Sequence, residues 1–498
     1  MVEDLPGGWG PILDDLVERR RAARAMGGDE RLARHQAGGK LTARARVDYL
    51  LDPGTFRELG TLVGAVPADA IVAGSGRIAG RPVMVGAEDF TVVAGTIAAG
   101  SNAKRFRLAE LALQERVPLI MILEGAGYRP TERSHGRSPT DLLMQARCSG
   151  RVPVITAVLG PSAGHGALIA PMSDFTVMSE QGAIFTAGPP VVRESLGESV
   201  SKEDLGGPGI AVASGLIHNV AADDCSALDQ VRRYLSYFPS SAWSYPPSEP
   251  GPDSGHRPVD ELLSIIPRDS RRVYDMRSVI DVLVDDGQWF EIQPGFGPAI
   301  IVALARLGGA PVAIVANQPL VLAGAIDADA ADKASHLIMV ADSFHLPLVF
   351  LADNPGMLPG TNSERAAILR SGARMFAAQT QATTPKVNVT IRKAYGFGSM
   401  VMAMMGFDHQ TATFAYPGVT LGAMGAGASS RAMHSEASEA EMLRAAELDA
   451  SYRSAANLGF DELIDPRETR DVLLDAVSRA LSRRQGPAEP VSRTAITP

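Results

Sequence analysis

The chain alternates two kinds of segment. VPLIMILEG (117–125) and LPLVFLADN (346–354) are nearly continuous apolar runs, the pattern of strands buried on both faces of a sheet. PVMVGAED (82–89) and PVAIVANQ (311–318) are shorter apolar runs that follow turns and also predict strands. Between them, KRFRLAELALQER (104–116) and ADKASHLIMVADSF (331–344) place apolar residues at helical spacing, which gives βαβ units and a mixed parallel sheet. Each half reads strand, strand, glycine turn, helix, strand, loop, helix, strand, glycine turn, helix.

The halves align with one another. Pro82 pairs with Pro311 at an offset of 229 (311 − 82), and the same offset relates Gly95 to Gly324, Lys104 to Lys333, Pro118 to Pro347 and Gly127 to Gly356. Farther on the offset becomes 232 (396 − 164), matching Gly164-His165-Gly166 to Gly396-Phe397-Gly398. Shared Gly and Pro imply shared backbone turns, and an ungapped repeat of this length predicts two homologous α/β domains in tandem. The expected boundaries are a helical extension over 1–35, a first domain over 36–245, a Pro/Gly/Ser-rich linker over 246–258, a second domain over 259–485 and a frayed tail over 486–498.

Composition removes several classes of function. The 498 residues are 45% hydrophobic and 21% charged, as in ordinary globular protein, and the net charge of −9 comes without a basic stripe, which excludes a nucleic-acid footprint. Only Cys148 and Cys225 are present, so neither a disulfide framework nor a four-cysteine zinc site is expected, and no metal site is predicted. No apolar run reaches the length of a membrane span and no basic-then-apolar leader opens the chain, so the expected location is the cytoplasm, away from membranes.

The chemistry is expected where strands run into glycine turns. LGPSAGHGALIA and RKAYGFGSMVMA each place helix-start N–H groups at a strand end, where a carbonyl oxygen gaining negative charge accepts hydrogen bonds. Before each comes a loop with an acid at its start: Glu124 through Arg129 in the first half, Asp353 through Met357 in the second. Glu124 and Asp353 are candidate bases or turn-closing carboxylates, and Arg129 is a candidate for anion binding or for a structural ion pair. Gly160-Pro161-Ser162-Ala163-Gly164 matches the nucleophile elbow of serine hydrolases, but the second half has Arg392-Lys393-Ala394-Tyr395-Gly396 there, and an elbow does not account for a duplication. His165 and His218 are candidate catalytic or packed histidines. Gly74-Ser75-Gly76 with Gly80 misses the dinucleotide fingerprint by one residue.

With these residues in place the chain resembles the carboxyltransferase β subunits of biotin-dependent acyl-CoA carboxylases, the propionyl-, acetyl- and methylcrotonyl-CoA type. The resemblance runs from about Gly38 to Arg484 and rests on GGKLTARARVDYLLDPGTFRELG, LGPSAGHGALIAPMSDFTVM, SGLIHNVAADD, YLSYFP, NQPLVLAGAIDADAADKASHLI, ADNPGMLPGTNSE, RKAYGFGSMVM and LIDPRETR in the family's order. It implies two crotonase-like β-β-α superhelical domains and carboxyl transfer from carboxybiotin to the α carbon of an acyl-CoA through an enolate. It implies further a homo-oligomer, a hexamer built as a trimer of dimers, with each active site between the N-domain of one subunit and the C-domain of another. No Met-Lys-Met biotinylation motif is present, so biotin is expected on a partner, the biotin carboxylase/biotin carrier α subunit. Carried onto this sequence, the donors to the thioester oxygen fall on Gly164 and His165, with Gly166 adjacent, and those to the biotin ureido carbonyl on Phe397 and Gly398. Gly127, Arg129 and Gly356 fall in the substrate-binding loops, and Met400 falls where the family tunes acyl length. The chain departs from the family pattern at His165 and Phe397, where small residues are usual, across Glu124–Arg129, and at Ala450-Ser451-Tyr452. A crotonase-fold acyl-CoA decarboxylase, a biotin-free acyl-thioester enzyme, a serine hydrolase and a non-catalytic scaffold subunit are the alternatives.

Overall fold

In each sheet a tight hairpin follows a short first strand. In the computed structural model, which describes residues 8–129, 139–269, 271–404, 406–491 and 496–498, the chain divides into a unit formed by residues 1–236 with 493–498 and a unit formed by 237–492. The first holds β1 (Arg57–Leu59), β2 (Ile71–Ile78), β3 (Arg81–Glu88), β4 (Leu119–Gly125), β5 (Val154–Ala163), β6 (Phe175–Ser179), β7 (Ala183–Phe185) and β8 (Asn219–Ala221). The second holds β9 (Trp289–Ile292), β10 (Ile300–Leu307), β11 (Ala310–Asn317), β12 (Leu348–Asn354), β13 (Lys386–Tyr395), β14 (Gln410–Ala415), β15 (Thr420–Gly422) and β16 (Glu462–Leu463).

The first sheet has the order β1-β2-β3-β4-β5-β6-β8 with β7 on the end of β5; the second has the order β16-β14-β13-β12-β11-β10-β9 with β15 on the end of β13. β2–β3 and β10–β11 are antiparallel, and β3-β4-β5-β6 and β11-β12-β13-β14 are parallel. The hairpins turn on Ala79-Gly80 and Gly308-Gly309, all with positive φ, the two-residue turn whose twist suits paired strands. Every residue of β4 and β12 is buried, as their nearly continuous apolar runs require, and so is every residue of β13, although it carries Lys386, Asn388, Thr390, Arg392 and Lys393.

After the hairpin each unit makes the same tight turn: Val93-Ala94-Gly95 and Leu322-Ala323-Gly324 all have positive φ. A side chain at Gly95 would run into the Glu124 carbonyl, and one at Gly324 into the Asp353 carbonyl, so the shared glycines let this turn close on the strand that follows. Helices Ala99–Glu115 and Ala328–Ser343 then cover the sheets, burying Leu108, Ala109 and Ala112 in one case and Ala334, Ile338 and Ala341 in the other. A fully buried leucine such as Leu108 contributes roughly 1.5–3 kcal/mol over an exposed one. No described helix is long and apolar enough to cross a membrane.

Two expectations are corrected. The chain passes to the second unit at Tyr237, ahead of the Pro-rich stretch, because Tyr237 lies under the Arg306 guanidinium, Phe238 packs edge-on against Phe344, and the Glu249 N–H donates to the Gly309 carbonyl. Nor is the tail frayed throughout: Ala488 and Ile496 are buried, and the Ile496 N–H donates to Ser149 Oγ at 3.0 Å.

Candidate active site

In the first unit β5 ends at Ala163, Gly164 takes φ +58°, and the short helix Gly164–Ala167 begins. In the second, β13 ends at Tyr395, Gly396 takes φ +54°, and the helix Gly396–Val401 begins. The backbone N–H groups of Gly164, His165 and Gly166, and of Phe397 and Gly398, therefore fall in helix first turns, whose donors have no partner inside the helix. Gly127, at φ +87°, lies against the Ala163 carbonyl, and Gly356, at φ +113°, against the Tyr395 carbonyl. Each acid-led loop is thus brought to its own unit's turn. Ile97 bridges to Tyr128 and Ile326 to Met357 in the same way.

What lies beneath the two turns differs. The Arg105 guanidinium, fully buried, donates from Nη1 to Glu88 Oε1 and from Nε to Asp141 Oδ2, both at 2.6 Å. Glu88 Oε2 accepts the Glu124 N–H at 2.9 Å, and Asp141 Oδ1 is bonded to His165 Nε2. Burial acts most strongly on Asp141 and pushes it up, yet Arg105 and His165 together outweigh it and hold the carboxyl at about 2. Burial also pushes Glu88 up, and there Arg105 offsets it only in part. The His165 side chain keeps 26% exposure and lines a cavity of about 370 Å³ with Ala98, Asn102, Phe106, Tyr128 and Thr140.

Under the second turn the corresponding groups are neutral. Asn317 stands where Glu88 does and accepts the Asp353 N–H at 3.1 Å and Asn354 Nδ2 at 3.3 Å. A Cβ on Gly398 would sit 2.5 Å from Asn354 Oδ1 and 2.7 Å from Gly356 Cα, so this position tolerates only glycine. Phe397 is half-buried with its ring 6.0 Å from that of Phe376, and Met400 is exposed.

The two strand-end acids are both buried. Glu124 accepts from Lys40 at 2.7 Å, Arg46 at 2.6 Å and His35 at 3.0 Å; burial raises it, but these three bring it down to about 2. Asp353 accepts from Tyr274 Oη at 2.9 Å and Arg392 Nε at 2.7 Å, and there burial prevails and leaves the carboxyl raised. Of the two roles open to Arg129, the structure shows the ion pair: Nη1 donates to Asp69 at 2.9 Å and Nη2 to the Thr96 carbonyl at 3.0 Å.

Ser162 is buried inside β5 with its hydroxyl toward the Gly160 carbonyl, whereas an elbow serine stands exposed, and His165 is bonded to Asp141. His218 accepts the Thr176 N–H through Nδ1 and stacks on Phe175. Cys148 is buried and its thiol is pushed up to about 12 by burial, and neither cysteine forms a disulfide. Among the described residues no group of three or more His, Cys, Asp or Glu is placed to hold a metal ion.

Asp141, Arg105 and Glu88 were not singled out from sequence. The available signal was weak: Arg105 lies on the apolar face of KRFRLAELALQER, and Asp141 opens DLLMQARC in the position of an ordinary first-turn acid.

The carboxyl transferase domain family matches residues 34–491. The carboxyltransferase subunit of propionyl-CoA carboxylase from Haloferax mediterranei is 36% identical, with 95% of this chain and 96% of that protein covered. The α subunit of methylmalonyl-CoA decarboxylase from Veillonella parvula is 35% identical, with 96% and 97% covered. Among solved structures, transcarboxylase 12S, described as a hexamer and determined with methylmalonyl-coenzyme A and methylmalonic acid bound, superposes with a TM-score of 0.90 at 34% identity over 99% of this chain and 100% of that one.

Proposed function

Since the chain belongs to the carboxyl transferase family, we propose that it moves a carboxyl group from carboxybiotin, borne by a separate carrier, to the α carbon of an acyl-CoA through an enolate. The observation that carries this reading is the duplicated turn. Two strand-to-helix turns, each opening on a left-handed glycine and each flanked by a second glycine loop, suit a reaction with two carbonyl oxygens to polarise.

The first turn, at Gly164, His165 and Gly166, takes the thioester oxygen, with the acyl group in the cavity lined by His165. The second, at Phe397 and Gly398, takes the ureido oxygen of biotin, and its donor set fits that group, because neutral helix-start N–H groups match a neutral urea carbonyl without a cation. Gly127 and Gly356 hold the two loops against their turns, and Met400 offers an exposed apolar contact for acyl length selection. Arg129, tied to Asp69, supports its loop from within. When bound, carboxybiotin supplies the transferred carboxyl and the base for the α-proton. The contribution of the chain is to hold developing negative charge, at roughly 2.7–4 kcal/mol per well-placed donor, and to fix both reactants in a water-poor site. The protein works as a homo-oligomer, a hexamer like that of transcarboxylase 12S, with a biotin carboxylase/biotin carrier α subunit as partner.

The test is incorporation of [¹⁴C]bicarbonate into acid-stable product across acetyl-, propionyl- and longer acyl-CoA substrates, with biotin carboxylase and biotinylated carrier supplied. Label in at least one acyl-CoA is expected. Absence of label throughout, with CO₂ released from methylmalonyl-CoA instead, would favour the second reading, an acyl-CoA decarboxylase, to which the likeness to the Veillonella subunit points.

A further inference from the structure

His165 stands within the proposed thioester-oxygen turn and also carries a side chain capable of proton transfer. Its Nε2 is bonded to Asp141, which is buried and held ionised beside Arg105, so Asp141 is an acceptor only and the shared proton belongs to Nε2. In neutral His165 that leaves Nδ1 with its lone pair, and Nδ1 makes no hydrogen bond among the described residues. The ring borders the first-unit cavity, while the other end of the Asp141–Arg105–Glu88 stack is closed in the interior. The orienting carboxylate is itself fixed by Arg105 at 2.6 Å and by Gln145 at 3.1 Å, so the tautomer and the ring direction are both set before any ligand arrives. None of this recurs in the second unit, where Phe397 occupies the position of His165, Asn317 that of Glu88 and Ala334 that of Arg105.

We propose that His165, positioned by Asp141, is a proton-transfer residue that lets the first unit exchange the α-proton of a bound acyl-CoA with solvent in the absence of biotin. The inference rests on the first turn binding an acyl thioester. In the step, the Cα–H bond breaks and its electron pair forms the Cα=C1 bond. The thioester carbonyl pair moves onto oxygen, held by the turn's N–H groups, and the proton bonds to Nδ1 to give an imidazolium. Return of a solvent-exchanged proton from Nδ1 to Cα regenerates the thioester and the neutral ring, so nothing is oxidised or consumed. Asp141 is a positioning residue that stabilises the transient imidazolium.

The experiment uses the full-length protein with propionyl-CoA in D₂O, no biotin carrier present, with α-deuteration followed by mass spectrometry and thioester binding by calorimetry. Wild type is expected to deuterate propionyl-CoA well above the buffer rate. His165→Gln should bind the thioester within a few-fold of wild type and exchange on the order of 10²-fold more slowly, the usual size of a general-base contribution. His165→Ala should regain exchange on addition of free imidazole, which a merely structural histidine would not allow. Tight thioester binding with wild-type exchange at the buffer rate, an undiminished rate in His165→Gln, or no imidazole rescue in a folded His165→Ala protein would each overturn the proposal. Failure of propionyl-CoA and of every other acyl-CoA tested to bind would instead remove the thioester reading on which it depends, and the proposal with it.

Discussion

The two glycine turns share a backbone and differ in what supports it. Beneath the first lies a buried charged stack, Glu88–Arg105–Asp141, ending on a histidine; beneath the second lies a pair of asparagines, and the matching position is a phenylalanine. The strand-end N–H is caught in both, by Glu88 at 2.9 Å and by Asn317 at 3.1 Å, so the hydrogen bond is kept while the charge is not. Duplication thus conserves the geometry that backbone donors need and leaves the side chains around it free to diverge. A buried carboxylate requires a buried cation, and Arg105 meets that need for two carboxylates at once.

The largest effect should come from removing that shared cation. Arg105→Met leaves Glu88 and Asp141 without their common partner, and a loss of about 3–5 kcal/mol in unfolding free energy is expected, the usual result of orphaning a buried charge. Ala334→Ser, at the corresponding place in the second unit, should cost far less. Denaturant unfolding of both variants compares them directly, and equal losses would mean that the charged stack has no special weight.

Gly398→Ala probes the uncharged side. The added methyl has no room between Asn354 and Gly356, so the second turn must shift, and carboxyl transfer should fall by about 10²–10³-fold, the cost of a misplaced oxyanion donor. Acyl-CoA affinity, measured by calorimetry, should stay within a few-fold, since that ligand is assigned to the first turn. A parallel loss of affinity would contradict the division of labour between the turns.

The strand-end acids should respond to pH with opposite signs. Glu124 is held at about 2, below its ordinary 4.5, so its contribution is present above about pH 4.5 and is lost as pH falls toward 2. The margin of wild type over Glu124→Gln should therefore shrink by about 3 kcal/mol across that window. Asp353 is raised above its ordinary 3.8, so its ionised form costs stability, and the margin of wild type over Asp353→Asn should grow as the pH falls through the raised value toward 3.8 and level off below it. Unfolding curves at several acidic pH values read both slopes. Two slopes of the same sign would mean that burial and pairing do not separate the two acids.

The smallest effect belongs to Ser162→Ala. The second unit already has Ala394 at the matching point, paired to Asn354 as Ser162 is paired to Gly125, and Ser162 donates only within its own strand end. Carboxyl transfer should change by less than about threefold, because the hydroxyl touches no reacting atom. Labelling of Ser162 by a fluorophosphonate, with loss of turnover in the variant, would revive the nucleophile elbow.

By itself the sequence determined the duplication, the strand and helix order, the two glycine turns and the family. Those features are written in local patterns: continuous apolar runs, helical spacing, and Gly and Pro at fixed offsets that only certain backbone turns accept. The tertiary structure alone decided which charges meet. Nothing in the spacing of Glu88, Arg105, Asp141 and His165 marks them as one stack, since they come from a strand end, two helices and a turn that only the folded sheet brings together. It also decided that Arg129 is tied to Asp69, that Ser162 is buried, and that the chain joins its second unit at Tyr237, ahead of the prolines. Backbone geometry is encoded nearby in the chain and is legible there, whereas the partner of a buried side chain is chosen across the core, where burial sets the strength of the pairing and distance along the chain sets nothing.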